Sequence, residues 1–302
     1  MKMKTALKNR PQYTMFSNRA LGALILPLVV EQVLAITVGM VDTMMISYAG
    51  EAAISGVSLV DMINTVIINI FAAVATGGSV VISQYIGKKS KDRACSAADQ
   101  LMMITVLISI GFMSLTLVAR RPLLSVLFGS IEADVMENAL IYLVISAYSY
   151  PFLAVFNSCA AVLRSIGNSR LPMYVSVGMN VMNAIGNAIL IFGFHMGVAG
   201  AAWSTFASRT AAAVVMFLIL LNRRFDVYLT PRRIFSWQGG LIRKILYIAV
   251  PSGVENGIFQ FGRVIVVSII SEFGTVQIAA NAVANNLDAM GCIAGQAMNL
   301  AM

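Results

Sequence analysis

Seven ionisable side chains stand inside long apolar runs of this 302-residue chain: Glu31, Asp42, Asp61, Arg209, Glu255, Arg263 and Asp288. A charge set among so many apolar residues is costly unless it meets a partner or a polar cavity. Asp42 has company that gives it chemistry. Asn183, Asn187 and Thr205 lie in two other apolar runs, and the four side chains offer oxygens of the kind that hard cations take as ligands. The residues alone leave two roles open to Asp42. Either it binds an ion, or it forms a structural pair with Arg209 while the asparagines bond between helices at about 0.6–2 kcal/mol each. Enzymatic constellations are missing. The one histidine, His195, lies between apolar runs, so no serine or cysteine has a histidine base in the same run. There is no His-Glu-x-x-His zinc signature and no Gly-x-x-x-x-Gly-Lys-Ser/Thr phosphate loop. Cys95, Cys159 and Cys292 make neither a disulfide framework nor a metal-ligand spacing.

The elements that position these residues follow from composition. The chain is 59% hydrophobic and 11% charged, against about 25% charged for soluble domains, so it needs lipid as solvent. Apolar stretches long enough to cross a bilayer fall near 20–48, 57–86, 97–119, 136–163, 172–193, 198–221, 243–271 and 276–302. The stretch over 20–48 is too long for a signal peptide and contains Asp42, so it reads as a retained helix. The basic residues fix the orientation. Of 21 Lys and Arg, 17 fall in the N-terminus and in the connections after the second, fourth and sixth stretches. That side is expected to be cytoplasmic, and the N-terminus with it. Basic residues spread between apolar runs are not the patch that nucleic acid requires. Counted along these helices, Asp42 lies about six residues, roughly 9 Å, below the opposite surface. Asn187 and Thr205 fall at a similar depth, and Asn183 about one turn deeper.

An internal repeat is also legible. Shifted by 224 residues, Pro27 meets Pro251, Glu31 meets Glu255, Ser47 meets Ser271 and Gly50 meets Gly274. Parallel repeats of this kind build many secondary transporters. The chain divides into a cytoplasmic segment 1–19, a six-helix lobe 20–222, a linker 223–241 and the first two helices of a second lobe, 242–302. On this arithmetic about 144 further residues, roughly four helices, are expected to complete the second lobe. The 302-residue chain alone is expected to be inactive.

Pro27-Leu-Val-Val-Glu31 with Val41-Asp42-Thr43 and Gly50-Glu51-Ala52-Ala53 resembles the first helix of the multidrug and toxic compound extrusion (MATE) family. Gln84-Tyr-Ile-Gly87, the stretch Leu163 to Met173, Leu190-Ile-Phe-Gly193 and Gly197 to Ala202 resemble later landmarks of that family, in order. The resemblance implies an all-α polytopic membrane protein with eight of an expected twelve membrane helices in this chain. It implies a monomer of the bacterial inner membrane, in contact with membrane lipid, that exports small organic, often cationic compounds in exchange for Na⁺ or H⁺ and uses no other cofactor. A flippase of lipid-linked sugars with related architecture is the alternative. In part of the family an N-lobe cation site falls on Asp42, Asn183, Asn187 and Thr205. Asn187 stands where some members carry a second aspartate, which leaves the choice of ion open. Pro27 is where the resemblance implies that the first helix can bend. Asn180, Arg209, Glu255 and Asp288 join Pro27 and Glu31 as candidates for the cavity or the bend, and Asp288 and Arg263 are placed to pair. Glu31 lies 11 residues before Asp42, about 16 Å along one face. It either lines the same path or ties its helix to a neighbour.

Overall fold

The computed structural model describes residues 18–128, 132–234, 236–271, 291 and 295. Among the described residues all regular structure is helical. The order is α1 (Asn18–Ser47), α2 (Glu51–Gly87), α3 (Lys91–Val118), α4 (Arg120–Phe128), α5 (Ala133–Ser165), α6 (Arg170–Asn187), α7 (Gly197–Leu220), α8 (Pro231–Ile234) and α9 (Gly239–Ser271). A π-helical turn, Ala188–Gly193, continues α6. Among the described residues six helices are long and apolar enough to span a bilayer: α1, α2, α3, α5, α6 with its π turn, and α7. α9 is 33 residues long and carries Arg243, Lys244, Glu255 and Arg263. The apolar run over 276–302, with Asp288, lies outside the described residues apart from positions 291 and 295.

Helices begin and end where backbone chemistry requires it. α1 gives way to α2 at Gly50, whose φ of 104° suits a residue without a Cβ. α5 closes at Gly167, with φ 80°. There the Gly167 and Asn168 amides donate to the carbonyls of Arg164 and Leu163, a left-handed glycine stop. The Leu171 amide donates to Asn168 Oδ1 at the start of α6. Pro27, Pro151 and Pro251 sit inside α1, α5 and α9, each removing one helical hydrogen bond.

α2 and α5 form the centre. α5 packs against α2, α3 and α7, while α9 lies along α2 and α1 rests mainly on α6. The apolar core has two parts. One, towards the basic connections, joins Val74–Tyr85 of α2, Ala94–Ile104 of α3, Phe156–Leu163 of α5, Ala212–Leu220 of α7 and Ile242–Ala249 of α9. The other joins Ala53–Phe71 of α2, Ala139–Ala154 of α5 and Val198–Ala202 of α7. α7 leaves the second cluster at Ala202 and enters the first at Ala212, and the residues between them include Ser204, Thr205, Ser208, Arg209 and Thr210. α7 therefore carries a polar stretch between its two apolar contacts.

The connection from α7 to α9 is fastened to α3. Buried Asp99 accepts from the Thr230 amide at 2.9 Å. Buried Gln100 donates to the Ser236 carbonyl at 2.6 Å and accepts from the Gln238 amide at 3.0 Å.

Candidate functional site

Asp42 lies in the last turns of α1, Asn183 and Asn187 one turn apart at the end of α6, and Thr205 in the third turn of α7. Their helices meet because small residues let them. A Cβ on Gly186 would collide with Ser204 Oγ, and one on Gly200 would lie 3.1 Å from the Leu190 backbone. α6 and α7 therefore touch nearly backbone to backbone, and Ser204 Oγ donates to the Asn183 carbonyl at 2.8 Å. The π turn starts directly after Asn187. Wide turns of this kind, common at functional positions, realign the side chains on either side of them.

The structure brings the four residues into one net. Asn187 Nδ2 donates to Asp42 Oδ1 at 2.7 Å. With its amide nitrogen towards the carboxylate, Asn183 donates to both Asp42 oxygens at 3.0 and 3.1 Å, and its oxygen accepts from Thr205 Oγ1 at 3.1 Å and from the Thr205 amide at 3.3 Å. That orientation satisfies both ends; the opposite one sets the amide oxygen against the carboxylate. Asn187 is 1% exposed, and its Oδ1 is buried without a hydrogen-bond partner. A buried carbonyl oxygen without a donor costs about 1–3 kcal/mol. Beside a carboxylate, it is an oxygen ready for a cation.

The other candidates separate from this net. Arg209, half-buried one turn along α7 from Thr205, donates from Nη1 to Ser149 Oγ at 2.8 Å. It is an electrostatic neighbour of Asp42 without pairing to it, so the Asp42–Arg209 ion pair is not what the structure shows. Asn180 is half-buried and lies outside the net. Glu31 takes a partner that loop counting missed: Arg164 Nη2 reaches both carboxylate oxygens at 2.9 and 2.8 Å. The pair ties α1, one turn after buried Pro27, to the last turn of α5. Of the two roles open to Glu31, this geometry is the helix tie. Glu255 is exposed on α9. The side chain of Arg263, and Asp288 entirely, fall outside the described residues.

Sequence reading gave Asp61 no role. It lies on α2, exposed, with Asn64 Nδ2 donating to Oδ1 at 3.3 Å. Asn64 Oδ1 accepts in turn from the hydroxyl of fully buried Tyr150 at 2.9 Å. The signal available was an acid and an amide three apart in an apolar run. Among the described residues no three His, Cys, Asp or Glu side chains gather into a metal-binding group, so any ion at Asp42 is held by one carboxylate and neutral oxygens.

An all-helical bundle with a carboxylate–amide–hydroxyl net inside its spans is a polytopic membrane protein built around a polar site. The comparisons supply the family. The MatE family model matches residues 27–189, more than half of the sequence, and the chain belongs to the MATE family of transporters. The uncharacterized transporter YisQ of Bacillus subtilis is 29% identical over 300 residues, covering 98% of this chain and 64% of YisQ. The probable multidrug resistance protein NorM of Thermotoga maritima is 27% identical, covering 88% of this chain and 58% of NorM. A MATE structure solved in complex with MaL6 superposes with a TM-score of 0.88 at 21% identity, over 94% of this chain and 63% of that one. This chain thus spans about three fifths of the length of the relatives it matches.

Proposed function

We propose that this chain forms the ion-coupling lobe, and the beginning of a second lobe, of a cation-coupled exporter of small organic compounds. The observation that carries the reading is the net of Asp42, Asn183, Asn187 and Thr205, which joins three helices around one carboxylate and leaves Asn187 Oδ1 free to ligate. Oxygen donors of this number and kind suit Na⁺, and a proton on Asp42 neutralises the same charge. Either cation is the coupling ion, and it enters from the face opposite the basic loops, which the positive-inside rule places in the cytoplasm. Multidrug resistance is in the names of relatives such as NorM, and small organic, cationic substrates follow for this protein on that analogy.

The lobes alternate access to a central cavity, and an ion at Asp42 favours the state opposite to the one that holds substrate. A ligand shifts such an equilibrium only by its differential affinity for the two states. Asp42 supplies that difference through α1, whose end it anchors on α6. Bending at Pro27 accommodates the displacement, because the helix there lacks one hydrogen bond. The protein works as a monomer in a bacterial inner membrane.

The test is efflux of a fluorescent organic cation from cells without pumps of their own that express this sequence completed by a full second lobe, under an imposed Na⁺ or H⁺ gradient. Efflux that follows one gradient and vanishes in Asp42→Asn, with membrane insertion unchanged, is the expected result. Undiminished efflux in that variant would remove the reading.

A further inference from the structure

An open groove of about 610 Å³ runs along the first turns of α9. Ile242, Leu246 and Val250 line it at steps of four, together with Trp237, Arg243 and Tyr247. The basic connections mark this end of α9 as the cytoplasmic one. Val250 lies seven residues beyond Arg243, about 10 Å deeper, within the ~15 Å that one leaflet contributes to the hydrocarbon core. Trp237 is 68% exposed and Tyr247 81%, and rings with a polar tip favour the membrane–water boundary. Trp237 is also held in place. Gln100 of α3 bonds on either side of it, to the Ser236 carbonyl and the Gln238 amide.

The groove has one charge, and that charge has no counterpart. Arg243 is exposed and makes no ion pair among the described residues. Its neighbour Lys244 is engaged elsewhere: Nζ donates to the Tyr85 hydroxyl at 3.0 Å and sits 5.5 Å from the centre of that ring. The connection leading to α9 adds Arg223, Arg224, Arg232 and Arg233. Its one acid, Asp226, lies 3.9 Å from Lys91. A guanidinium without a carboxylate therefore borders an apolar groove that descends into one leaflet. A molecule with a phosphate at one end and a hydrocarbon chain behind it answers both features.

We propose that this groove binds an anionic phospholipid of the inner leaflet, its phosphate on Arg243 beside the Trp237 indole and one acyl chain along Ile242, Leu246 and Val250. The lipid joins the connection between the lobes to the helix that opens the second lobe. The internal repeat argues that a completed second lobe leaves the groove free. In the first lobe Leu26 is 66% exposed, while Pro27 and Leu28 are buried. Shifted by 224 residues these positions are Val250, Pro251 and Ser252. The remaining helices are thus expected to cover the Pro251 side of α9 and to leave Val250 facing lipid.

The experiment reads quenching of Trp237 fluorescence in phosphatidylcholine vesicles. These carry a small fraction of phosphatidylglycerol or phosphatidylcholine with a spin label near the head of one chain. Trp203→Phe leaves Trp237 as the only tryptophan of the 302-residue chain. Labelled phosphatidylglycerol should be preferred over labelled phosphatidylcholine by about tenfold. Arg243→Gln should abolish the preference. Lys244→Gln, an equal loss of charge one residue on, should keep most of it. Excess inorganic phosphate should not displace the lipid, and the preference should persist in a chain completed by a second lobe whose tryptophans are replaced. Four results would each overturn the proposal: no preference in the starting chain, a preference that survives Arg243→Gln or falls equally in Lys244→Gln, displacement by phosphate, or loss in the completed chain. The last would assign the groove to a helix of the second lobe.

Discussion

Replacing Asn187 by aspartate exchanges a donor for an acceptor 2.7 Å from Asp42 Oδ1. Two carboxylate charges at that distance repel by about 6 kcal/mol at an effective dielectric of about 20. If the side chains swing apart to about 5.5 Å, roughly 3 kcal/mol remains. A further 1.5–3 kcal/mol or so is lost with the charge-assisted hydrogen bond. In alkaline K⁺ buffer Asn187→Asp should therefore be less stable than wild type by about 4–6 kcal/mol after such movement. At about 2 °C per kcal/mol for a chain of this size, its melting temperature falls by roughly 8–12 °C. A proton or an Na⁺ ion between the two carboxylates removes the repulsion. Acid or Na⁺ should then restore most of the loss, with a larger rise than either produces in the wild type. Scanning fluorimetry in detergent reads both numbers. A variant that melts with the wild type in alkaline K⁺, and responds to neither cation, would refute the reasoning, because Asn187 would then not face Asp42 in the folded protein.

Four further outcomes concern other positions. Glu31→Gln should cost about 2–4 kcal/mol, since it strands a guanidinium whose side chain is only 19% exposed; the charge swap Glu31→Arg with Arg164→Glu should recover most of the loss in the same melting assay. Gly77→Ala should lose about 1–3 kcal/mol, because its Cβ would press on the Ile245 carbonyl and Ala249 backbone. Gly178→Ala, with nothing within 4 Å, should be neutral or gain up to about 1 kcal/mol from helix propensity. Gln100→Ala frees the linker at Ser236 and Gln238, and limited trypsinolysis at Arg223, Arg224, Arg232 and Arg233 should speed up several-fold.

What the sequence made legible was set by which forces act locally. The apolar runs mark helices α1, α2, α3, α5, α6 and α7, but each helix begins earlier than its run, as α3 does at Lys91 and not at 97. Polar first turns lie outside the hydrocarbon, so hydropathy does not register them. α4 falls between the apolar runs because Arg120, Arg121 and Pro122 open it; buried Leu124 holds it against the core. The π turn has no local signal in Ala-Ile-Leu-Ile-Phe; it lies where Gly200 of α7 packs against the Leu190 backbone. Depth arithmetic sets Asp42, Asn187 and Thr205 in one layer; the structure joins Asn187 to Asp42 directly and Thr205 to Asp42 through Asn183. It put Asn183 a turn deeper, and the structure carries that amide up to both Asp42 oxygens, a matter of side-chain reach that counting residues does not include. Arg164 looked like one more loop cation, because an ion pair 133 residues apart leaves no local pattern.

The packing also separates what can move from what cannot. α2 and α5 meet through Gly56, where a Cβ would lie 2.9 Å from the Ala139 amide, and α2 meets α3 through Gly78 against Leu101. Contacts this close admit no sliding without a clash. α1 is held differently. Only 11% of its most apolar window is buried, against 50% for α2 and 56% for α5, and it rests mainly on α6. Among the described residues its polar fastenings to other helices are the Asp42 net at one end and the Glu31–Arg164 pair towards the other. Both are built on a carboxylate, whereas the contacts behind α2 and α5 are apolar. On the proposed mechanism, loading Asp42 changes one of the few ties that position α1, and Pro27 lies beyond the other. The coupling ion therefore needs to outweigh only the hold on one lightly packed helix, and not the cohesion of the lobe.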